Sequence, residues 1–149
     1  MMGNIADDTQ WLDATAQADL VARAEVSARE LVDGAIERIE RSDHAINAVV
    51  LKWYDRAREQ ADVIDSSGAA TAPAGAGSGD RPHFLGVPFM LKDLWAPEAG
   101  MPMTNGNAAL AAAPPIAPHD MTLVTRFRDA GLINVGRTNS PELGSLPVT

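Results

Sequence analysis

The chain has 149 residues, a formal net charge of −8 and no cysteine. Its length is that of about one domain, and 46% hydrophobic with 21% charged residues is typical of a globular protein, which argues against wholesale disorder. The acidic balance, without any cluster of Lys and Arg, argues against a nucleic-acid partner. The lack of cysteine excludes disulfides, thiolate metal sites and a cysteine nucleophile.

The N-terminal residues do not resemble a secretory signal. The stretch from Met1 to Asp8 has neither the basic region nor the apolar core of a signal peptide. No apolar run in the chain approaches the ~18 residues of a membrane span. We therefore expect a cytoplasmic protein without a membrane partner.

Helical patterns dominate the first third of the chain. A first helix is predicted from apolar residues that recur every four positions, namely Leu12, Ala16, Leu20 and Ala24. Ser27 and Glu30 form an S-x-x-E capping box, which predicts the start of a second helix whose apolar face carries Leu31, Ala35, Ile36 and Ile39. The run Ile46 to Leu51 indicates a strand edge or a buried connector, and Trp53 to Ile64 returns to helical spacing. We predict a helical N-terminal arm over residues 1–65.

A change in composition follows over residues 66–82, which are rich in Ser, Gly, Ala and Pro and show no periodicity. A phosphate-binding loop would need the spacing G-x-G-x-x-G or a Walker pattern, and neither is present. No basic residue lies where it would help to bind a phosphate. The composition therefore favours a flexible surface loop.

The next segment, Phe84 to Leu91, is a continuous apolar run of strand length, as expected for a strand covered on both faces. It leads into Lys92 and Asp93, at the strand end where open α/β sheets place their functional residues. Lys92 has two interpretations: an exposed lysine paired with Asp93, or a lysine desolvated by the apolar residues around it. Desolvation favours the neutral amine, which can accept a proton near neutral pH. Spacing alone does not decide between them.

A crossover connection is predicted downstream. Asp120 is predicted to cap a helix that ends at Gly131, and the apolar face of this helix carries Leu123, Val124, Phe127 and Ala130. The strand Leu132 to Val135 follows, and then the polar turn from Gly136 to Asn139. This order is half of a βαβ unit, so two strand ends should offer polar groups to one crevice.

The order of these segments resembles the amidase-signature family. Leu85 to Asp93 (LGVPFMLKD) resembles the family's G-V-P-x-x-x-K-D segment, and Ala99 to Gly106 (AGMPMTNG) its A-G-x-P-x-T-x-G turn. Gly136 to Gly144 (GRTNSPELG) resembles the G-K-T-N-x-x-E-F-G segment, with Arg137 and Leu143 in place of the usual lysine and phenylalanine. The resemblance covers about residues 27–149. It implies an α/β fold with a mixed sheet flanked by helices, of which residues 83–149 would form the truncated N-terminal part of the catalytic domain.

The resemblance also implies a chemistry. In the family a neutral lysine accepts a proton through a bridging serine, a second serine attacks the amide carbonyl, and backbone N–H groups hold the oxyanion. Lys92 matches the catalytic lysine. The G-G-S-S-G-G-type segment that supplies the nucleophile is not found in the 149 residues, so this chain alone is expected to be inactive.

Other polar residues receive lesser roles. Asp93 is a candidate for orienting Lys92 or the adjoining backbone. Thr104 and Asn139 are candidates for substrate contacts, although a role in stabilising turns is favoured for both. Ser140 and Ser145 could pair with a lysine, but no nucleophile-elbow motif surrounds them, so ordinary turn serines are favoured. The histidines are far apart in sequence and show no metal-ligand spacing, and neither a metal nor a cofactor is expected; they are His44, His83 and His119.

The sequence leaves the exact role of the chain open. The resemblance implies an amidase that hydrolyses a small carboxylic amide to the acid and ammonia or an amine. A related alternative is the glutamine-hydrolysing subunit of a tRNA-dependent amidotransferase. An alternative of another class is a non-catalytic fragment or split-gene half that binds a partner chain. The expected partners are a small amide substrate and either a second copy of the chain or a complementing C-terminal chain.

Overall fold

A computed structural model describes residues 3–69 and 81–149 of the chain. The predicted surface loop of residues 66–82 falls largely outside these ranges, because residues 70–80 are not described. The helices are α1 (Ile5–Asp8), α2 (Ala14–Ala22), α3 (Ala28–Ile46), α4 (Tyr54–Ser67), α5 (Ala108–Ala112) and α6 (Thr122–Asp129). The strands are β1 (Val49–Lys52), β2 (Pro88–Lys92) and β3 (Ile133–Thr138), and a 3-10 turn covers Glu142–Gly144.

The three strands form one mixed sheet in the order β1-β3-β2. Strand β3 runs antiparallel to β1 and parallel to β2. Gly136 lies where β3 crosses β1, and a Cβ at this position would meet the carbonyl oxygen of Leu51 at 2.3 Å. A larger residue here would therefore force the two strands apart. The mixed sheet and its flanking helices confirm the predicted fold class.

Helix α3 begins as the sequence predicts. The Ser27 side chain accepts a hydrogen bond from the backbone N–H of Glu30, and the Glu30 carboxylate accepts one from the Ser27 N–H. The intervening N–H groups of Ala28 and Arg29 donate to the carboxylate of Asp65 on α4, at 2.9 and 3.0 Å. All the free donors at this helix start therefore have partners, and one of those partners ties α3 to α4.

Both faces of the sheet contact apolar side chains. On one face, residues of β3 pack against α3 and α4 in a cluster that includes Val32, Ala57 and Val135, with Met90 of β2 beside it. On the other face, Phe89 and Leu91 of β2 pack against α6 through Val124 and Phe127. Apolar contacts therefore lie on both faces of β2, but within the strand only Leu91 is buried, so β2 is less covered than the sequence predicted.

Strand β2 starts later than predicted. The sequence predicted an extended segment from Phe84, but the chain turns there, because the N–H of Val87 bonds back to the Phe84 carbonyl. Gly86 takes a φ of 87°, and β2 begins only at Pro88. The polypeptide then crosses through α6 and Gly131 into β3, which lies parallel to β2 and confirms the predicted crossover.

The predicted cap of α6 is wrong. Met121, not Asp120, occupies the N-cap position, and it makes no side-chain cap hydrogen bond. The Asp120 carboxylate instead accepts a hydrogen bond from the Ala99 N–H at 2.8 Å and pairs with Arg128 on the same helix. Asp120 therefore joins the turn after β2 to α6, which local sequence spacing does not reveal.

This contact predicts a pH-dependent stability. The Ala99 N–H, followed by Arg128, lowers the pKa of Asp120 below its ordinary value of 3.8. A lowered carboxyl pKa stabilises the fold above the unfolded value and loses this effect as the pH falls through the folded value. Asp120→Asn should therefore lower the urea midpoint at pH 7 but change it less at pH 3. Asp129→Asn, which replaces an exposed carboxylate at the end of α6, is the control. If Asp120→Asn lowered the urea midpoint equally at both pH values, the lowered pKa of Asp120 would not be its cause.

Within residues 3–69 and 81–149, no helix is both long and apolar enough to cross a bilayer.

Candidate active site

Lys92 is the last residue of β2, and its side chain is exposed. It pairs in the sheet with Thr138, the last residue of β3. The apolar neighbours that were expected to desolvate Lys92 do not cover it: Leu94 is only partly buried, and Trp95 is 62% exposed. The described residues therefore leave the Lys92 side chain open.

The other interpretation, an ion pair between Lys92 and Asp93, is also not formed. Asp93 is 0% exposed and its carboxylate faces inward. It accepts hydrogen bonds from the Thr104 N–H at 3.0 Å, from the Thr104 hydroxyl and from the Gly106 N–H at 3.4 Å. A buried carboxylate with several donors is well satisfied, so Asp93 anchors the Thr104 turn and leaves the Lys92 ammonium unpaired among the described residues.

Residues after β3 close the same site from the other side. The Asp93 N–H donates to the Thr138 carbonyl at 2.8 Å, and the Ser140 hydroxyl donates to the Asp93 carbonyl at 2.8 Å. The Asn139 side chain accepts from the Ser140 N–H at 2.9 Å. Ser140 is thus a buried turn residue with its hydroxyl in use, while Ser145 caps the 3-10 turn through the Glu142 carbonyl.

Gly106 explains how closely these segments approach. Its φ is 66°, and a Cβ on it would lie 2.3 Å from the Ser140 carbonyl oxygen. Only glycine fits both conditions without a shift of the backbone. The structure therefore brings three separate sequence segments together around Asp93, and the four predicted site residues share this corner of the sheet: Lys92, Asp93, Thr104 and Asn139.

Sequence reasoning missed the role of Arg137. It was noted only as a replacement for the usual lysine, yet it is 0% exposed and lies beneath the segment that follows Lys92. Its Nη1 donates to the Lys92 carbonyl at 3.1 Å and its Nη2 to the Ala96 carbonyl at 2.6 Å. Burial lowers the pKa of the guanidinium, while the charges of Asp93 and Glu98 act in the opposite direction. The sequence analysis placed Arg137 in a polar turn, whereas it lies inside β3, which continues to Thr138.

A second buried polar group was also missed. Glu98 is 4% exposed, forms an ion pair with Arg56 at 2.6 Å and accepts a hydrogen bond from the Asn134 side-chain amide at 2.7 Å. It connects α4 and β3 to the turn after β2. Because its partners come from distant parts of the chain, no local pattern predicts this cluster.

Among these groups, Lys92 alone presents an exposed and unpaired proton-exchanging side chain; the carboxylates around it are bonded inward. The described residues contain no group of three or more His, Asp or Glu side chains that could hold a metal ion. The arrangement can therefore supply the Lys92 side chain, held by a fixed backbone and accessible to groups that face it.

The chain is similar to known proteins in sequence and in structure. A family model described as Amidase matches residues 30–149. The chain is 34% identical over 139 residues to the 6-aminohexanoate-cyclic-dimer hydrolase of Paenarthrobacter ureafaciens, covering 93% of this chain and 25% of that protein. It is 35% identical over 135 residues to a glutamyl-tRNA(Gln) amidotransferase subunit of Salinispora arenicola, covering 91% of this chain and 26% of that one.

A solved structure supports the same likeness. A bacterial aryl acylamidase of the amidase-signature enzymes superposes with a TM-score of 0.75 at 34% identity, over 89% of this chain and 26% of its own. The chain therefore spans about a quarter of the length of these relatives. Their remaining three quarters has no counterpart in the 149 residues.

Proposed function

Because the chain belongs to the amidase family, we propose that it forms the lysine-bearing part of an enzyme that hydrolyses a carboxylic amide to the acid and ammonia or an amine. The observation that supports this most is the state of Lys92. Its ammonium is exposed and unpaired among the described residues, while its backbone is held by a buried network.

The proposed mechanism assigns Lys92 the role of general base. As a neutral amine, it accepts a proton relayed by a bridging serine from the nucleophilic serine, which attacks the amide carbonyl. The amine leaves with a proton, and water then hydrolyses the acyl-enzyme. Both serines would be supplied by residues outside 1–149, as would the groups that desolvate Lys92. No cofactor takes part.

The other candidates would act through position. Asp93 holds the turn that carries Thr104, and Asn139 shapes the turn that brings Ser140 under the Asp93 carbonyl. None of these side chains is free to exchange protons with a substrate in the described structure. We propose that they keep the Lys92 backbone fixed, and that the substrate is a small amide whose acyl group is recognised mostly by the remainder of the enzyme.

A second candidate function is favoured by the likeness to a glutamyl-tRNA(Gln) amidotransferase subunit. In that case the amide would be glutamine, and the ammonia would be passed to a partner protein. The two candidates differ in one observable: an independent amidase releases ammonia without partners, whereas an amidotransferase component depends on them. A completed chain that hydrolyses an amide alone would favour the amidase.

The test of the proposed function is a chimera. Residues 1–149 would replace the matching part of the Paenarthrobacter ureafaciens hydrolase, which is assayed on the 6-aminohexanoate cyclic dimer. We expect the chimera to hydrolyse this amide and the chain of 149 residues alone to hydrolyse none. The chain alone is assayed by ammonia release from simple amides.

Two outcomes would contradict the proposal. One is a folded chimera without activity when the unmodified hydrolase is active under the same conditions. The other is amide hydrolysis by the 149 residues alone that Ser140→Ala or Ser145→Ala abolishes. That second result would move the nucleophile into this chain and remove the need for external serines.

A further inference from the structure

Arg137 makes a bridge across the turn that follows Lys92. Its two terminal nitrogens donate to the carbonyls of Lys92 and Ala96, at 3.1 and 2.6 Å. These carbonyls lie at the two ends of the segment Asp93 to Trp95. Since the guanidinium is planar and rigid, the two hydrogen bonds fix the distance and the orientation of both ends of this turn.

The charge of Arg137 is costly to keep there. The side chain is 0% exposed, both of its hydrogen-bond acceptors are neutral carbonyls, and its Nε has no hydrogen-bond partner among the described residues. A buried charge without a close ion pair disfavours folding. The ring of Trp53, 5.5 Å from the guanidinium carbon, offsets part of this cost. The arginine therefore contributes geometry rather than stability, because its two hydrogen bonds fix the positions of the two carbonyls.

The backbone of Lys92 is held from several directions by this arrangement. The sheet holds it through the pairing with Thr138, the Asp93 carboxylate anchors the next residue to the Thr104 turn, and Arg137 holds its carbonyl from below. The ammonium itself remains exposed. An amine that must meet a serine hydroxyl gains from a fixed backbone, because an error of about 1 Å can cost about 10²-fold in rate.

We infer that Arg137 is a positioning residue for Lys92, whose forked hydrogen bonds to the Lys92 and Ala96 carbonyls set the direction in which the amine projects. This inference rests on the proposed function of Lys92. A lysine at position 137, the usual residue of the resembling motif, can direct its single nitrogen but cannot hold both carbonyls in one plane. The arginine would therefore make the turn of this protein stiffer than a lysine does.

The first test is amide hydrogen exchange on the chain itself. In the parent protein the Asp93 N–H donates to the Thr138 carbonyl and the Trp95 N–H to the Asn105 side chain, at 2.8 and 3.2 Å. Arg137→Met should quicken exchange at these two amides about 10-fold or more while the amides of α3 keep their rates. Parental rates at residues 93 and 95, or an increase that α3 shares equally, would overturn the inference.

The second test is kinetic and uses the chimera with the hydrolase. Arg137→Met should lower kcat per folded molecule by about 10²-fold, with KM within about 2-fold of the parent. Arg137→Lys keeps the charge and should lower kcat by only about 10-fold. It is the variant to measure if the methionine variant does not fold. Arg126→Met, which removes an exposed arginine of α6, should leave both constants unchanged.

The outcomes separate the inference from the proposed function. If Lys92→Ala in the same chimera remains active, the proposed function fails and the inference fails with it. If Lys92→Ala is inactive while both Arg137 variants keep the parental kcat per folded molecule, only the positioning role fails. A loss confined to KM in the Arg137 variants would also overturn it, because a misplaced base lowers kcat.

Discussion

Replacing Lys92 with alanine in the chimera should lower kcat by about 10³-fold or more, which corresponds to roughly 4 kcal/mol of lost transition-state stabilisation. The reason is that no other exposed and unpaired base lies at the carboxyl ends of β2 and β3 among the described residues. The rate is measured on the 6-aminohexanoate cyclic dimer at saturating concentration, and folding is checked by circular dichroism.

Lys52→Ala is the matched control, because Lys52 is the other lysine of the chain and lies exposed at the end of β1. It pairs with Glu40 at 2.8 Å, far along the chain from the proposed site, and its loss should leave kcat unchanged. If Lys92 were an ordinary surface lysine, both alanine variants would behave alike. Equal activity of the two would therefore remove Lys92 from the mechanism.

Arginine at position 92 sharpens this test. A guanidinium keeps the positive charge and the length of the side chain but stays protonated, so it cannot accept the serine proton. Lys92→Arg should therefore be as inactive as Lys92→Ala. Activity that survives in the arginine variant would show that position 92 contributes charge rather than base catalysis.

The parts of the fold that depend on neighbouring residues could be predicted from the sequence. The Ser27 and Glu30 capping box, the helix that follows it and the strand near Val135 are all found in the structure. Each of these is specified within a few residues by spacing and capping chemistry. Thr104 and Lys92, named from sequence motifs, also lie in one corner of the sheet.

The parts that depend on distant contacts could not be predicted. Asp120 was expected to cap its own helix but bonds to Ala99, and Asp65 completes the cap of α3 from another helix. The turn at Gly86 delays β2 because the apolar run continues through it, so hydrophobic pattern alone cannot show where pairing starts. Arg137, which the sequence shows only as a replacement for the usual lysine, donates to the carbonyls of Lys92 and Ala96. Asp120, Asp65 and Arg137 each bond to a partner that lies far away in the sequence.

The exposure of Lys92 is the most informative difference between expectation and structure. The sequence offered burial by neighbours or an ion pair with Asp93, and the structure shows neither. Both interpretations assumed that residues adjacent to Lys92 in the sequence determine its environment. Instead, buried residues hold the backbone of Lys92, and its side chain stays exposed.

Asp93→Asn should be the most destabilising substitution at this site that keeps the shape of the side chain. The carboxylate is fully buried and accepts from the Thr104 N–H and hydroxyl and from the Gly106 N–H, while the buried cation Arg137 lies nearby. An amide loses the charge and turns one acceptor into a donor that faces other donors. Such a loss costs about 2–3 kcal/mol.

The measurement is urea unfolding of the chimera at pH 7, with the Asp93→Asn midpoint compared with that of the parent. Asp55→Asn is the control, since the Asp55 side chain is 97% exposed and its nearest cation, Arg58, is 3.6 Å away. It should leave the midpoint nearly unchanged. Because Asp93 also fixes the residue after the proposed base, its variant should lose activity in conditions where it remains folded. A parental midpoint for Asp93→Asn would show that the hydrogen bonds around this carboxylate contribute little, and the anchoring role given to it would have to be abandoned.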